Sequence, residues 1–253
     1  MKIDISGQLA VVTGGSGQLG RVIVRTLAEC GANIAIHYLN SQQKAAELAE
    51  QVKAMGVKAV AVQADISDEA SVVAMHSTIV EQMGDPDIIV NNAVTQYKWT
   101  SVLEQPLADY ESQFRTCVLQ NVLMAKLFVP AMIRKNHGRV IAINTECAMQ
   151  NSVNQSAYVS GKRGMDGMLR VLAKEVGRHN ITVNQVAPGW TISDNDRENN
   201  TQVQEQYEAQ IPMRRRVEDI DIANTVAFLA SDLARFISGV YLPVCGGNVM
   251  PTI

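Results

Sequence analysis

The sequence predicts one α/β domain built on a doubly wound parallel sheet, with helices on both faces. Short apolar runs alternate with segments of helical periodicity along all 253 residues, and no linker or repeat interrupts them. The apolar runs are nearly continuous, which is typical of parallel strands buried on both faces. A chain of this length buries roughly 70–75% of the surface that its unfolded form exposes, enough for one large core. We therefore expect residues 1–253 to form a single domain.

Four apolar runs in the first half of the chain predict strands. They lie at residues 9–12, 33–38, 57–63 and 87–91. Apolar side chains recur at helical spacing in segments 21–30, 42–55 and 67–83. Gly31 and Gly56 are suited to end the first two helices, and Ser41 and Ser67 can cap the second and third. Strand and helix thus alternate, which predicts parallel strands joined by helical crossovers.

The second half of the chain continues this alternation with longer helices. The predicted strands are 139–144, 182–186 and 239–244, and the predicted helices are 107–136, 157–178 and 219–231. We expect Pro130 to kink the helix 107–136 or to end its first part, because proline removes a backbone hydrogen bond. Segment 190–215 is polar and poor in core residues. It is interpreted as a mobile substrate lid at the carboxyl edge of the sheet, with an ordinary surface helix and loop as the alternative.

Composition and charge exclude several classes of partner. Lys and Arg number 22 against 25 Asp and Glu, so the chain has neither the basic footprint of a nucleic-acid-binding protein nor a polybasic stretch for anionic lipid. No run approaches the length of a membrane span, and the N-terminus lacks a signal-peptide pattern. The four cysteines and four histidines are scattered. We expect a cytoplasmic protein that binds no nucleic acid, membrane or metal.

A glycine-rich turn at residues 13–20 lies between the first predicted strand and the first predicted helix. Its glycines let the backbone approach a pyrophosphate, and the helix N-terminus offers free N–H groups and the positive end of its dipole. A purely structural turn is the alternative. Because the turn opens the first strand–helix–strand unit, it predicts a Rossmann-type dinucleotide site.

The end of the second predicted strand bears on the choice of cofactor. It holds Tyr38, Asn40 and Ser41, where an acidic residue would select NAD by binding the ribose hydroxyls. Asn40 and Ser41 can hydrogen-bond a phosphate, with Arg21 or Lys44 as nearby cations. We therefore expect NADP as the cofactor, with NAD left open.

Four motifs, in order, resemble the short-chain dehydrogenase/reductase family. They are the turn Thr13–Gly20, Asn91-Asn92-Ala93 after the fourth strand, Tyr158-Val159-Ser160-Gly161-Lys162 after the fifth, and Pro188-Gly189 after the sixth. The resemblance covers the whole chain and is nearest to 3-oxoacyl carrier-protein reductases and to sugar or polyol dehydrogenases. It implies an NAD(P)-dependent oxidoreductase that interconverts a small secondary alcohol and a ketone.

Tyr158 and Lys162 also have chemistry of their own. Residues four apart share a helix face, so both side chains can point at one bound cofactor. A protonated tyrosine can give its proton to a carbonyl oxygen as hydride arrives at carbon, and a nearby ammonium lowers the tyrosine pKa. The resemblance implies that Tyr158 is the general acid/base and that Lys162 also holds the nicotinamide ribose.

A larger set of residues is predicted to bind the cofactor. Besides Tyr158 and Lys162 it comprises Gly14, Ser16, Gln18, Leu19, Gly20, Tyr38, Asn40, Ser41, Asp65, Ile66, Asn92, Ala93, Pro188, Gly189 and Ile192. By resemblance, Asp65 and Ile66 hold the adenine, while Pro188, Gly189 and Ile192 flank the nicotinamide. The family also implies a homo-oligomer, a tetramer or dimer formed through the two long helices. On the second of these, Met165, Met168, Leu169 and Leu172 supply either that interface or the core.

The sequence departs from the family pattern at four positions. Gln18 replaces the middle glycine of the turn, and Val94 replaces a glycine after Asn-Asn-Ala. Thr145 stands at the position of the catalytic serine, where its hydroxyl can still bind a carbonyl. Cys117 stands where relatives carry a helix asparagine of the proton relay, and Asn121 lies one turn further on. A cofactor-binding protein with weak or lost turnover is therefore the alternative.

Overall fold

The computed structural model describes residues 3–251 and contains one sheet of seven parallel strands. They are β1 (Leu9–Val12), β2 (Asn33–Tyr38), β3 (Ala59–Gln63), β4 (Ile88–Asn91), β5 (Gly138–Ile143), β6 (Ile181–Pro188) and β7 (Tyr241–Val244). Their order across the sheet is β3-β2-β1-β4-β5-β6-β7. The order reverses between β1 and β4, and a ligand crevice forms where such a reversal occurs. The predicted doubly wound α/β fold is confirmed.

Helices cover both faces of this sheet. The longer ones are α1 (Gln18–Glu29), α2 (Gln42–Lys53), α3 (Glu69–Met83), α4 (Leu107–Gln113), α5 (Gln120–Lys135), α7 (Ser156–Val176) and α10 (Asp219–Ala230). Three short helices were not predicted: α6 (Cys147–Gln150), α8 (Asp194–Glu198) and α9 (Glu205–Glu208). They are only four or five residues long, too short to show an apolar periodicity.

Strand β1 shows why its apolar run is continuous. Ala10 and Val12 pack into one core layer with α1, α2 and α10, whereas Leu9 and Val11 pack into the opposite layer with α3, α5 and α7. All four side chains are buried. Both faces of the strand therefore need apolar residues. Polar residues that could form a site must come from the loops at the carboxyl edge of the sheet.

The long helix predicted at 107–136 is present, but Pro130 does not end it. Helical structure runs without a break over Leu107–Lys135, with a π-helical turn at Phe114–Leu119 joining α4 to α5. Neighbours of Pro130 such as Val129 and Met132 are buried in the core. This packing outweighs the roughly 3 kcal/mol that proline costs inside a helix. The helix ends at Asn136, whose φ of 51° is left-handed.

The stretch Leu107–Lys135 is also long and apolar enough to cross a membrane. However, 56% of its most apolar window is buried inside the domain. Met124 and Phe128, for example, are fully buried against the sheet. Its apolar character is thus accounted for by its place in the core, as in the central helix of a globular domain.

Candidate active site

A groove of about 410 Å³ lies at the carboxyl ends of β1, β2 and β4. It collects twelve of the residues predicted to bind a cofactor: Gly14, Ser16, Gln18, Leu19, Gly20, Tyr38, Asn40, Ser41, Asp65, Ile66, Asn92 and Ala93. His37, Val94 and Thr95 line it as well. Residues more than seventy positions apart meet here because parallel strands all end at one edge of the sheet.

Main-chain packing sets the shape of the glycine-rich turn. A Cβ placed on Gly20 would lie only 2.1 Å from the carbonyl oxygen of Gly14. Gly14 itself has a φ of +63°, a left-handed conformation that side chains disfavour. Thr13 Oγ1 accepts hydrogen bonds from the main-chain N–H groups of Asn92 and Ala93, at 2.9 and 3.0 Å. The turn is thereby fastened to the loop after β4.

His37 supports the turn from below, and its role was not predicted. Its Nδ1 accepts a hydrogen bond from the Gly14 N–H at 2.8 Å, and its Nε2 lies 2.9 Å from the Ala64 carbonyl oxygen. Both contacts are satisfied only by neutral imidazole with the proton on Nε2. Burial lowers the pKa of His37, which favours that neutral form. The sequence signal was a lone histidine inside an apolar strand.

Asp65 lies at the rim of the groove, where the resemblance places the adenine. Its Oδ1 accepts hydrogen bonds from the main-chain N–H and the hydroxyl of Ser67, at 2.8 and 2.7 Å. These bonds hold the pKa of Asp65 below its ordinary value. The carboxylate therefore stays ionised near neutral pH and keeps Oδ2 free to accept from a ligand N–H group.

Gln18, the residue in place of the middle glycine, reaches across to segment 190–215. Its Nε2 donates to the Ile192 carbonyl at 2.8 Å, and its Oε1 accepts from the Asp194 N–H at 3.2 Å. One helical turn later, Arg21 forms a two-pronged ion pair with Asp194, at 2.7 and 2.5 Å. Arg21 is thus committed to this contact. The expectation that it stands ready for a cofactor phosphate is wrong.

Segment 190–215 is tied down at several points. The buried guanidinium of Arg216 donates to the carbonyls of Trp190, Thr191 and Gln202, at 2.9 to 3.2 Å, and pairs with Asp196 at 3.0 Å. Asp196 in turn closes a capping box with Ser193 at the start of α8. One buried cation, that of Arg216, holds this segment through its carbonyls and Asp196, although the composition is that of a surface loop.

A second cavity, of about 490 Å³, lies beyond Thr95, which lines both spaces. Three predicted site residues line it: Tyr158, Thr145 and Gly189. The other predicted residues near it lie in its supporting wall, with Lys162 buried in α7 and Pro188 accepting from the Glu146 N–H at 2.9 Å. Ile192 lies further out, against Gln18. The structure thus places most of the predicted site residues in or beside two neighbouring spaces that share Thr95.

Tyr158 and Lys162 share a face of α7, as predicted, but their electrostatics differ from the expectation. Lys162 Nζ lies 5.7 Å from the centre of the Tyr158 ring and donates to the Ile143 carbonyl at 2.6 Å. Burial raises the pKa of Tyr158 and lowers the pKa of Lys162. The expected net lowering of the tyrosine pKa is not found, because burial of the hydroxyl sets the direction of the shift.

Thr145 is held firmly beside Tyr158. Its N–H donates to Asn144 Oδ1 at 2.9 Å, and its carbonyl accepts from the hydroxyl of Tyr241. The Thr145 side chain acts to lower the pKa of Tyr158, against the larger effect of burial. The threonine hydroxyl thus occupies the place predicted for a group that orients a carbonyl.

Cys117 lies buried in the π-helical turn, close enough to Lys162 for their charges to interact. Burial raises the pKa of its thiol, which donates to Gln113 Oε1 at 3.7 Å. Asn121 does not take over the relay position. Its side chain donates to the Cys117 carbonyl and accepts from Asn91, both at 2.7 Å, so it joins the helix to β4. A catalytic role for Cys117 stays a prediction.

Sequence reasoning missed most of the second cavity. Its other walls include Tyr97, Trp99, Glu146, Trp190 and Tyr207. The Trp99 ring stacks on Tyr158 at 6.1 Å, and the Tyr97 hydroxyl accepts from the Tyr158 N–H at 2.7 Å. The available signal was aromatic residues in otherwise polar segments after β4 and β6. Within residues 3–251, no three His, Cys, Asp or Glu side chains group as metal ligands do.

Known proteins resemble this chain over nearly its whole length. The family model described as enoyl-(acyl carrier protein) reductase matches residues 16–248. The 3-oxoacyl-(acyl-carrier-protein) reductase FabG of Staphylococcus aureus (strain Mu50) is 36% identical, covering 95% of this chain and 98% of that protein. A structure of NAD+-bound xylitol dehydrogenase aligns with a TM-score of 0.89 at 26% identity, covering 96% of this chain and 99% of that one.

A further structure, a blue fluorescent protein from a metagenomic library in complex with NADPH, has a TM-score of 0.88 at 32% identity. It covers 98% of this chain and 100% of its own. The match to the family model spans the second half of the glycine-rich turn, the Tyr158 region and the closing strand. The chain belongs to the short-chain dehydrogenase/reductase family.

Proposed function

We propose that this chain catalyses hydride transfer between a nicotinamide cofactor and a small secondary alcohol or ketone, with NADP(H) preferred. One observation carries the proposal: Thr95 lines both the glycine-lined groove and the cavity that contains Tyr158. A dinucleotide lying along the groove therefore ends beside Tyr158. The tight packing at Gly14 and Gly20 leaves backbone, free of side chains, to face a pyrophosphate.

The residues of the cavity suit the proton half of this reaction. When bound, the reduced nicotinamide supplies the hydride. Tyr158 gives its hydroxyl proton to the ketone oxygen, and the Thr145 hydroxyl orients that oxygen. The raised pKa of Tyr158 keeps it protonated near neutral pH, which favours its action as an acid in ketone reduction. Lys162 stabilises the phenolate that remains after the transfer.

The preference for NADP(H) rests on the end of β2. Residues 38–41 there are Tyr, Leu, Asn and Ser, so no carboxylate faces the position of the ribose 2′-oxygen. Asn40 and Ser41 line the groove and are exposed, which suits hydrogen bonds to a phosphate. The related structures hold NADPH in one case and NAD+ in another, so NAD(H) is a weaker second cofactor.

A 3-oxoacyl thioester is the second candidate substrate, favoured by the curated relatives that carry that activity in their name. An acyl carrier protein is acidic and would need a basic surface, but most of the candidate basic residues already form ion pairs with Asp side chains. Arg134, Lys135 and Arg139 pair with Asp85, Asp87 and Asp232, at 3.5, 2.8 and 2.8 Å. A free small-molecule ketone is therefore the substrate class that we favour.

We also propose that segment 190–215 is a lid over the cavity, since Trp190, Thr191 and Tyr207 line it. A cytoplasmic homo-oligomer, tetramer or dimer, fits the apolar surface of the long helix, where Leu107 is 79% and Phe114 51% exposed. Met165 and Leu169 do not contribute to that surface, because both are 1% exposed and pack in the core.

The test measures cofactor binding and turnover together. NADPH and NADH binding is followed by fluorescence, and consumption is then assayed against a panel of ketones that includes a 3-oxoacyl thioester and an enoyl thioester. We expect tighter binding of NADPH, and a fall in ketone reduction of at least about 10²-fold in Tyr158→Phe. Cofactor affinity should change much less than turnover.

Binding without turnover, insensitive to Tyr158→Phe, would instead establish a cofactor-binding protein that has lost catalysis. Consumption of the enoyl thioester alone would replace ketone reduction with reduction of a carbon–carbon double bond. Equal binding of NADH and NADPH would remove the argument drawn from residues 38–41.

A further inference from the structure

The cavity beside Tyr158 contains one buried carboxylate, that of Glu146. Glu146 follows Thr145 directly, is 2% exposed and lines the cavity. One of its oxygens accepts from the Tyr207 hydroxyl at 2.5 Å, and the other accepts from Asn248 Nδ2 at 3.1 Å. Both donors are neutral. The carboxylate is thus held in place by hydrogen bonds, without a cationic side chain to balance its charge.

The basic residues around the cavity do not supply that balance. None of the residues that line it is Lys, Arg or His, within the described part of the chain. Arg216 stacks on the Trp190 ring at 4.4 Å, but its guanidinium is bound by Asp196 and by main-chain carbonyls. The ammonium of Lys162 is bound by the Ile143 carbonyl. A buried carboxylate of this kind costs free energy unless a cation joins it.

The rest of the wall is aromatic. Tyr97, Trp99, Trp190 and Tyr207 face the same space as Glu146. Trp190 and Tyr207 pack edge to face at 5.3 Å, and the Trp190 main-chain N–H donates to the Tyr207 hydroxyl at 2.9 Å, so the two residues hold each other in place. Aromatic faces attract alkylammonium groups, and more strongly where water is excluded. The carboxylate and the aromatic wall therefore both favour a ligand that carries an alkylammonium group.

We propose that Glu146, with the aromatic wall around it, selects ketones or alcohols that carry a cationic amine or quaternary ammonium group. The inference rests on the proposed function, because it places the carbonyl of the same substrate at Thr145 and Tyr158. The proposal also explains the hydrogen bonds from Tyr207 and Asn248 to Glu146. They hold the carboxylate at the cavity wall, where the cation of a ligand can pair with it. Burial raises the pKa of Glu146, and a bound cation would lower it again.

The experiment compares two methyl ketones of equal chain length, one ending in a trimethylammonium group and one in the tert-butyl group of the same shape. Reduction of each by NADPH is measured with the wild-type enzyme, with Glu146→Gln and with Glu81→Gln, whose carboxylate on α3 is exposed and lines neither space. We expect kcat/KM to favour the ammonium ketone by about tenfold or more in the wild type. Glu146→Gln should bring that ratio close to one, and Glu81→Gln should leave it unchanged.

The outcomes separate the two proposals. Equal kcat/KM for both ketones in the wild type, or a preference that survives in Glu146→Gln, overturns the inference and leaves the proposed function standing. Reduction of neither ketone, together with failure of the ketone panel, overturns both. The ratio of kcat/KM for the two ketones is measured in the wild type, so the inference can be tested even if Glu146→Gln misfolds. Faster reduction of a neutral polyhydroxy ketone than of the ammonium ketone also overturns it.

Discussion

The groove and the second cavity both lie at the carboxyl edge of one sheet, yet different parts of the chain form their surfaces. The part of the groove suited to the pyrophosphate is backbone: a glycine turn with no room for a Cβ at Gly20, fastened through Thr13 and His37. The cavity is made of side chains from three separated segments, with Trp99, Glu146 and Tyr207 as examples. A backbone surface serves a ligand shared by a whole family, whereas a side-chain surface can change with the substrate.

The largest expected effect would break the groove while sparing the cavity. In Gly20→Ala the new Cβ meets the Gly14 carbonyl oxygen at 2.1 Å, and neither backbone can yield cheaply. We expect NADPH affinity to fall by about tenfold or more and unfolding free energy by about 1–3 kcal/mol. Fluorescence titration and urea denaturation measure the two quantities.

Gly167→Ala is the matched control, because a Cβ at this helical glycine meets nothing within 4 Å. It should bind NADPH normally and gain a few tenths to about 1 kcal/mol of stability. If Gly20→Ala bound NADPH as the wild type does, the turn would not be the cofactor site.

A second, intermediate effect concerns pH. The pKa of His37 is lowered in the folded protein, so the unfolded chain binds the extra proton first as pH falls below about 6.5. The stability due to neutral His37 is complete above that pH and is lost as pH falls through the lower folded pKa, by at most about 1.4 kcal/mol per pH unit. NADPH affinity should fall only as pH passes below the lowered folded pKa, because protonated Nδ1 can then no longer accept from Gly14.

Titrations of NADPH affinity between about pH 7.5 and pH 5 measure this loss in the wild type and in His37→Asn. The variant should bind more weakly at pH 7.5 and lose the histidine-dependent part of the fall. His179→Asn, at a half-buried position in the turn just before β6, should keep it. An identical pH profile in His37→Asn would show that another group carries the dependence.

The smallest expected effect lies where the two regions meet, at the ion pair of Arg21 with Asp194. Both side chains are about one-third exposed, so solvent screens the pair and its coupling should be about 1 kcal/mol or less. We expect Arg21→Gln, Asp194→Asn and the double variant to raise the substrate KM only a few-fold. A double-mutant cycle on KM measures the coupling, and a zero coupling would mean that this ion pair does not link the turn to segment 190–215 in substrate binding.

Much of the fold followed from local patterns. Each predicted strand is present. Continuous apolar runs and glycine stops are local features, so they can be identified from residues that are neighbours in the sequence. Pro130 was misjudged because helix propensity is a local quantity, while the burial of Val129 and Met132 is a tertiary one. The short helices α8 and α9 were not predicted because they show no apolar periodicity. Their segment is held instead by contacts with Arg216, which lies just beyond that segment in the sequence.

The sequence alone determined the sheet, the glycine turn and the pairing of Tyr158 with Lys162, since all three rest on spacing along the chain. Only the tertiary structure decided that Arg21 belongs to Asp194, that Asn121 joins helix to strand, and that burial raises the pKa of Tyr158. It also decided that Glu146, Tyr207 and Asn248 meet. Contacts and desolvation depend on which distant segments the fold brings together, and they cannot be predicted from the spacing of residues within one segment.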